Sequence, residues 1–125
     1  MATPAEVLVF NCQPVDLTVL WDVSRGMGVD VRVAGSETEF AREAITRRPS
    51  AAVLGLSRET LSGLNVINVI RAAHEDLPVI VIAEEDSLEL ERRARETGLF
   101  YYLVGPVSRG EMRAVLKSLL RQLKK

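Results

Sequence analysis

The sequence has 125 residues, of which 47% are hydrophobic, 26% are charged and 5% are aromatic, and its formal net charge is −1. This length predicts one domain, residues 1–125, with enough apolar residues to bury a core. No apolar run approaches the roughly 18 residues of a membrane span, and the first residues carry no basic cluster of a signal peptide. The small net charge gives no general attraction to nucleic acid. We therefore expect a cytoplasmic domain that binds neither membranes nor nucleic acid.

The chain contains one cysteine, Cys12, and one histidine, His74. One cysteine excludes a disulfide framework within the chain, and a metal site built from these two residue types is not expected. Cys12 is expected to be a small buried residue, with a redox or metal role as the less favoured alternative. His74 falls near a predicted helix end, where a cation interacts favourably with the helix dipole.

Five short runs rich in valine and isoleucine predict β-strands. Four are apolar on both faces, as in strands buried within a parallel sheet: residues 7–10, 51–54, 79–83 and 100–104. The run at 29–33 alternates valine with Asp30 and Arg32, which is typical of an edge strand.

A longer segment with helical periodicity follows each strand. The first helix is predicted from about Val15 to Arg25, ended by Gly26, and the third from about Leu64 to His74. Three other helices are predicted to begin at a capping box, in which a polar cap precedes a glutamate by three residues. These boxes are Ser36 with Glu39, Asp86 with Glu89 and Ser108 with Glu111. The βα order repeats five times and predicts a doubly wound α/β fold, a parallel sheet with helices on both faces.

The residues at the predicted strand ends are the candidates for a functional site, because doubly wound sheets bind ligands there. The residues at these ends and just before the strands resemble those of the receiver domain of bacterial response regulators. The resemblance covers essentially the whole chain. The resemblance rests on the five βα units, on Gly63 eight residues after Gly55, and on prolines at fixed places: Pro49, Pro78 and Gly105-Pro106. It implies a CheY-like, flavodoxin-like sandwich with strand order 2-1-3-4-5. It also implies that the Gly105-Pro106 bond is cis.

The resemblance further implies a chemistry, phosphoryl transfer to an aspartate at the end of the third strand. Mg²⁺ would be held by an acidic pair after the first strand, and a hydroxyl and a lysine after the fourth and fifth strands would bind phosphoryl oxygens. This sequence departs from the family at every one of these positions: Gly55 at the acceptor, Asn11 and Cys12 at the acidic pair, Ala83 at the hydroxyl and Gly105 at the lysine. We therefore expect a degenerate receiver with no catalysis, no cofactor and no Mg²⁺ site.

Neighbouring polar residues do not stand where the family keeps its ligands. Glu59 and residues 84–86 would place negative charge near the rim of the site, and Ser57 offers a hydroxyl without a general base. Tyr102 matches the aromatic switch position of the family. Without a hydroxyl at Ala83, the simpler interpretation is a partly buried strand aromatic, and a partner surface that includes Tyr102 is the alternative.

Two surfaces are candidates for protein partners. Receivers often pair through the face of the fourth helix, fifth strand and fifth helix. The residues that we select there are Leu88, Glu91, Arg95, Arg109, Arg113 and Lys117, which would form a homodimer face or simply a solvated surface. On the first helix, Leu17, Leu20 and Trp21 are predicted to face the core. Val15, Val19 and Val23 form either an exposed docking ridge or a second buried set.

Two functions remain open from the sequence. The leading hypothesis is a non-catalytic module that binds protein partners, such as a kinase, an output domain or an adaptor, in two-component-type signalling. The alternative is a small-ligand sensor that uses the space left at the vacated strand ends.

Overall fold

The computed structural model describes residues 4–60 and 62–124. Its strands are β1 (Ala5–Phe10), β2 (Val29–Val33), β3 (Ala51–Leu56), β4 (Val79–Ala83) and β5 (Tyr101–Val104). Its α-helices are α1 (Pro14–Gly26), α2 (Glu37–Thr46), α3 (Ser62–Ala73), α4 (Leu88–Arg95) and α5 (Arg109–Leu123). The strands form one parallel sheet in the order β2-β1-β3-β4-β5, which confirms the predicted fold and strand order. No helix in the described ranges is long and apolar enough to cross a membrane.

The sheet separates two hydrophobic cores, one on each face. The first lies between the sheet and helices α1 and α5 and includes Val7, Leu20 and Leu116. The second lies under α2, α3 and α4 and includes Leu8, Phe40 and Ile67. Every residue of β3 and β4 is buried, because both faces of these central strands are covered. The continuous apolar runs of the sequence reflect this double burial.

The predicted capping boxes are realised to different degrees. Ser108 and Glu111 form the complete reciprocal box at the start of α5. Ser36 caps α2 through the Glu39 N–H, but the Glu39 carboxylate accepts from the Gly35 N–H instead of the cap. The box predicted at Asp86 is wrong. Ser87 is the cap of α4, because its buried hydroxyl accepts from the Leu90 N–H while Asp86 stays exposed in the loop before it.

The predicted core position of Trp21 is wrong, because its side chain is 42% exposed. Val23 is buried, as in the second of the two arrangements left open for the valines of α1. Val19 is half-buried against the first core, so only Val15 of the three valines is exposed and they form no ridge. The physical reason is that α1 packs against both α5 and β2, and Trp21 lies beside the open flank of β2 where no further element covers it within the described residues.

Candidate functional site

The candidate site lies at the edge of the sheet where the carboxyl ends of the strands meet. β3 runs two residues further than predicted, because Gly55 pairs with Ile82 and Leu56 with Ala83. Gly55 therefore lies inside the strand and not after it. The Gly105 N–H donates to the Ala83 carbonyl at 2.8 Å, so the ends of β4 and β5 are also joined. The polypeptide thus brings the predicted positions of this site to one edge.

Gly55 is covered by the backbone of the β1–α1 corner. Asn11 adopts the left-handed conformation, with φ of 63°, and its side-chain amide donates to the Gly55 carbonyl at 3.2 Å. A Cβ atom on residue 55 would overlap the Asn11 carbonyl oxygen and lie 2.7 Å from the Asn11 carbonyl carbon. It would also lie 3.0 Å from the Cys12 Cα atom. Because backbone atoms yield less readily than a flexible side chain, this corner requires glycine at position 55.

Gly105 is covered in the same way, by a side chain that the sequence analysis did not select. Asp16, in the first turn of α1, is only 2% exposed, and its Oδ1 accepts from the Val107 N–H at 2.8 Å. Its Oδ2 lies 2.5 Å from the point where a Cβ on residue 105 would stand. The Gly105-Pro106 bond is cis, as the resemblance implied. An acidic residue in a first helical turn is common for dipole reasons alone, so the position of Asp16 in the sequence does not indicate that it is buried.

Cys12 lies half-buried beside this carboxylate. Burial, and to a lesser degree the negative charge of Asp16, raises the pKa of the Cys12 thiol to about 12. The thiol is therefore neutral at physiological pH, which makes it a poor nucleophile and a poor metal ligand. Within the described ranges, no cluster of three or more His, Cys, Asp or Glu side chains could hold a metal ion.

Two acidic residues of the β4–α4 loop, Glu84 and Glu85, are hydrogen-bonded to neighbouring loops. Glu84 accepts a hydrogen bond from the Gln13 side chain, and Glu85 accepts from the Arg58 N–H at 2.8 Å. Ser57 is buried and shares its hydroxyl with Thr60 at 3.1 Å. These hydrogen bonds hold the loops around the corner in place, and the polar groups that form them make contacts within the protein.

Tyr102 lies half-buried and packs against the second core. Its hydroxyl is buried without a hydrogen-bond partner in the described structure, and the Arg95 guanidinium lies over its ring at 5.7 Å from the centroid. Burial, followed by the charges of Glu91 and Asp86, raises the pKa of Tyr102 above its ordinary value. With only the methyl group of Ala83 at the end of β4, that strand offers no side-chain hydroxyl to Tyr102.

The face built from α4, β5 and α5 is exposed and carries the charged residues that we selected there. Leu88 is 83% exposed, and Glu91 pairs with Arg95 within α4 at 2.8 Å. Arg109 pairs with Asp22 of α1 at 2.9 Å, so its charge is directed toward α1. Arg113 and Lys117 are exposed on α5. The face therefore combines one prominent apolar side chain with a mixed ring of charge.

Comparison with known proteins agrees with this geometry. A family model of the response regulator receiver domain matches residues 7–117. The chain belongs to this family. The receiver domain is 34% identical over 110 residues to the transcriptional regulatory protein PrrA of Mycobacterium tuberculosis, which covers 86% of this chain and 47% of PrrA. It is 29% identical over 119 residues to the probable transcriptional regulatory protein TcrX of the same organism, covering 95% of this chain and 51% of TcrX. The chain thus spans about half the length of the curated relatives it matches.

The fold is also similar to solved receiver structures. A CheY-like receiver domain protein from Methanospirillum hungatei superposes with a TM-score of 0.81 at 16% identity, covering 98% of both chains. At this identity the likeness concerns the fold alone. The family model and the curated relatives identify the chain as a receiver domain of the kind found in two-component response regulators.

Proposed function

We propose that this receiver domain takes up no phosphoryl group at its strand ends and acts as a protein–protein interaction module in two-component-type signalling. The observation that carries the proposal is the contact between Gly55 and the β1–α1 corner. Position 55 has no side chain, and the backbone of Asn11 and Cys12 lies where one would begin. This arrangement leaves no space at position 55 for the side chain of a carboxylate nucleophile. We assign the domain no enzymatic role.

The residues at the corner do not fit a Mg²⁺ ion, which requires several oxygen ligands and favours carboxylates. Asn11 uses its amide nitrogen on Gly55, and Cys12 offers a neutral thiol. Asp16 is the nearest carboxylate on α1, and its Oδ1 is committed to the Val107 N–H. We therefore propose that the domain works without this cofactor.

The same packing argues against the small-ligand sensor. That alternative needs open space at the vacated positions, whereas backbone atoms lie against Gly55 and the Asp16 carboxylate lies against Gly105. A surface that is present at all times, independent of phosphate, is the simpler output. The expected cytoplasmic location stays a prediction.

An NMR titration tests the loss of phosphorylation chemistry. Amide spectra of the labelled domain are recorded with increasing Mg²⁺ and then with beryllofluoride, and a receiver that carries an acceptor aspartate is run in parallel as the positive control. We expect the amides of residues 11, 12, 55 and 56 to keep their positions. Saturable shifts centred on Gly55 at sub-millimolar Mg²⁺ would refute the proposal.

The partner surface that we propose is the α4–β5–α5 face, without Arg109, which pairs with Asp22 of α1, and with Tyr101, which is 38% exposed on β5. Its residues are Leu88, Glu91, Arg95, Tyr101, Arg113 and Lys117. Its support is Leu88, an almost fully exposed leucine beside a shallow depression lined by Glu91, Arg92 and Arg95. The homodimer anticipated for this face stays a prediction.

Matched substitutions test the face. Leu88→Asp removes its apolar centre, and Val69→Asp makes a similar change at an exposed valine on α3, outside the face. Co-precipitation from the source cells, read by mass spectrometry, should recover a signalling partner with the wild type and with Val69→Asp. Recovery of that partner should fall in Leu88→Asp. Equal recovery with both variants would exclude this face.

A further inference from the structure

β2 is the outer strand of the sheet, and one of its edges is open. The Ala34 N–H donates to the Val9 carbonyl at 2.8 Å, which fixes the phase of hydrogen bonding between β2 and β1. In a parallel ladder, alternate residues of a strand direct their backbone N–H and C=O groups to the same neighbouring strand. The backbone groups of residues 30 and 32 therefore point toward β1, as those of Ala34 do. The N–H and C=O groups of Val29, Val31 and Val33 therefore point away from the sheet. Within the described residues, no strand pairs with this edge.

The flank of this open edge carries exposed apolar side chains on the side of α1, next to the charged side chain of Arg25. Val33 is 46% exposed, and the exposed Trp21 ring lies in a shallow depression that Gly28, Val29 and Val31 also line. Large apolar side chains beside an unpaired strand edge favour the addition of another strand. The open edge and the exposed apolar groups thus occur at the same place.

We propose that β2 pairs antiparallel with β2 of a second copy of this chain, about a twofold axis at Val31. Val31 then lies opposite Val31 of the second copy, Val29 opposite Val33, and Asp30 opposite Arg32. The three valines, whose backbone groups point outward, form the hydrogen-bonded pairs, so about six backbone hydrogen bonds join the two sheets. The product is one continuous sheet through both copies.

Charge complementarity identifies the occupant as a second copy. The segment Val-Asp-Val-Arg-Val is self-complementary, because reading it in reverse exchanges the acid for the base. Asp30 is exposed and forms no ion pair within the described residues. Arg32 binds Glu43 through Nε and Nη2, at 3.1 and 2.8 Å, which leaves its Nη1 available. Side chains in a pair without backbone bonds lie closest together, and Asp30 and Arg32 form such pairs here.

The pairing also places the exposed Val33 against the second copy, although Val29 is already buried in its own core. Val33 of one copy lies across from Val29 of the other, beside the depression that holds Trp21. The twofold axis repeats this contact, as an isologous interface requires. The β2 edge and the α4–β5–α5 face lie at opposite edges of the sheet. An experiment can therefore refute the proposal for one surface without affecting the proposal for the other.

Sedimentation equilibrium over a range of concentrations tests the association. Asp30→Arg places like charges opposite each other at two symmetric positions, whereas Asp76→Arg makes the same charge change at an exposed loop residue away from β2. We expect a concentration-dependent dimer for the wild type and for Asp76→Arg. The dissociation constant of Asp30→Arg should be at least about tenfold higher. A monomer at all concentrations, or equal association of both variants, would overturn the proposal.

Cysteine cross-linking tests the register. In a Cys12→Ser background, Val31→Cys places two thiols at the axis on Cα atoms about 5.5 Å apart, within the range of a disulfide. Asp30→Cys is the control, because residue 30 lies out of register with its own copy. We expect rapid disulfide formation for Val31→Cys only. Equal cross-linking of both variants would overturn the register, and a dimer that is lost in Leu88→Asp but kept in Asp30→Arg would place the interface on the α4–β5–α5 face instead.

Discussion

The carboxylate of Asp16 accepts a hydrogen bond from the backbone N–H of Val107, which lies 91 positions away in the sequence. This bond ties the first turn of α1 to the corner between β5 and α5. It places a buried carboxylate directly against Gly105. The corner that carries the lysine in the phosphorylated members of the family is therefore held here by an acid.

Asp16→Ala is expected to lower the free energy of unfolding by about 2 kcal/mol, because it leaves the buried Val107 N–H without an acceptor. Asp16→Asn keeps an acceptor oxygen and should lose less than about 1 kcal/mol. Urea unfolding of the three proteins gives the comparison. Similar losses for both variants would show that the contribution of Asp16 is not this hydrogen bond.

Gly55→Ala is expected to destabilise the fold by about 2 kcal/mol or more, since its Cβ overlaps backbone atoms of the corner. Gly26→Ala is the matched control. It lies at the end of α1 with nothing within 4 Å of the added Cβ, so it should be neutral or stabilising by up to about 1 kcal/mol. Thermal or urea unfolding measures both. A stable Gly55→Ala protein with an unchanged Asn11 amide shift would contradict the close packing.

The raised pKa of Cys12 predicts a stability that falls in alkaline solution. An unfolded thiol ionises near its ordinary value of 9.0, whereas the folded thiol ionises near 12. Between these values the folded state binds one more proton, so its stabilisation is fully present below pH 9 and is lost as the pH rises toward 12. Relative to Cys12→Ala, the wild type should lose about 1 kcal/mol between pH 8 and pH 10. Parallel pH profiles for the two proteins would show that the pKa of Cys12 is not raised.

Arg71 connects three segments at the opposite end of the sheet. Its guanidinium donates to the carbonyls of Glu75, Leu77 and Gly98, at 2.9, 2.5 and 2.7 Å. Arg71→Ala should therefore lower the free energy of unfolding by about 1–2 kcal/mol, because three hydrogen bonds from a charged donor are lost, of which only the one to the Leu77 carbonyl is partly buried. Arg92→Ala, at an exposed arginine of α4, should change it by less than about 0.5 kcal/mol. Equal effects in chemical denaturation would refute this role of Arg71.

The sequence predicts well those elements whose local pattern and tertiary environment agree. Residues 29–33 and 79–83 have the predicted bounds, because alternation and continuous hydrophobicity report directly whether one or both faces of a strand are covered. The predicted end of β3 is two residues too early, because a glycine such as Gly55 is typical of the end of a strand. Its pairing with Ile82 keeps it in the strand, and such pairing is set by the neighbouring strand.

The candidate site shows the same division. The residues at the strand ends could be selected by position alone, since parallel strands bring their carboxyl ends to one edge. The groups that cover these residues could not be predicted from the sequence. The left-handed turn at Asn11 and the burial of Asp16 depend on how α1 docks against the strand ends and the β5–α5 corner. Trp21 was misplaced for a related reason, because periodicity identifies an apolar stripe without saying whether a neighbour lies beside it.

The left-handed turn at Asn11 has a consequence for the order in which this domain could be changed. A carboxylate introduced at position 55 meets the Asn11 carbonyl at once, so that substitution made first is penalised before it can confer any chemistry. Residues 11 and 12 would have to change first, so that the corner turns away and space opens at the strand. A lineage or a designer seeking a phosphorylatable switch on this scaffold would thus have to follow one sequence of steps, in which the loop moves before the acceptor is installed.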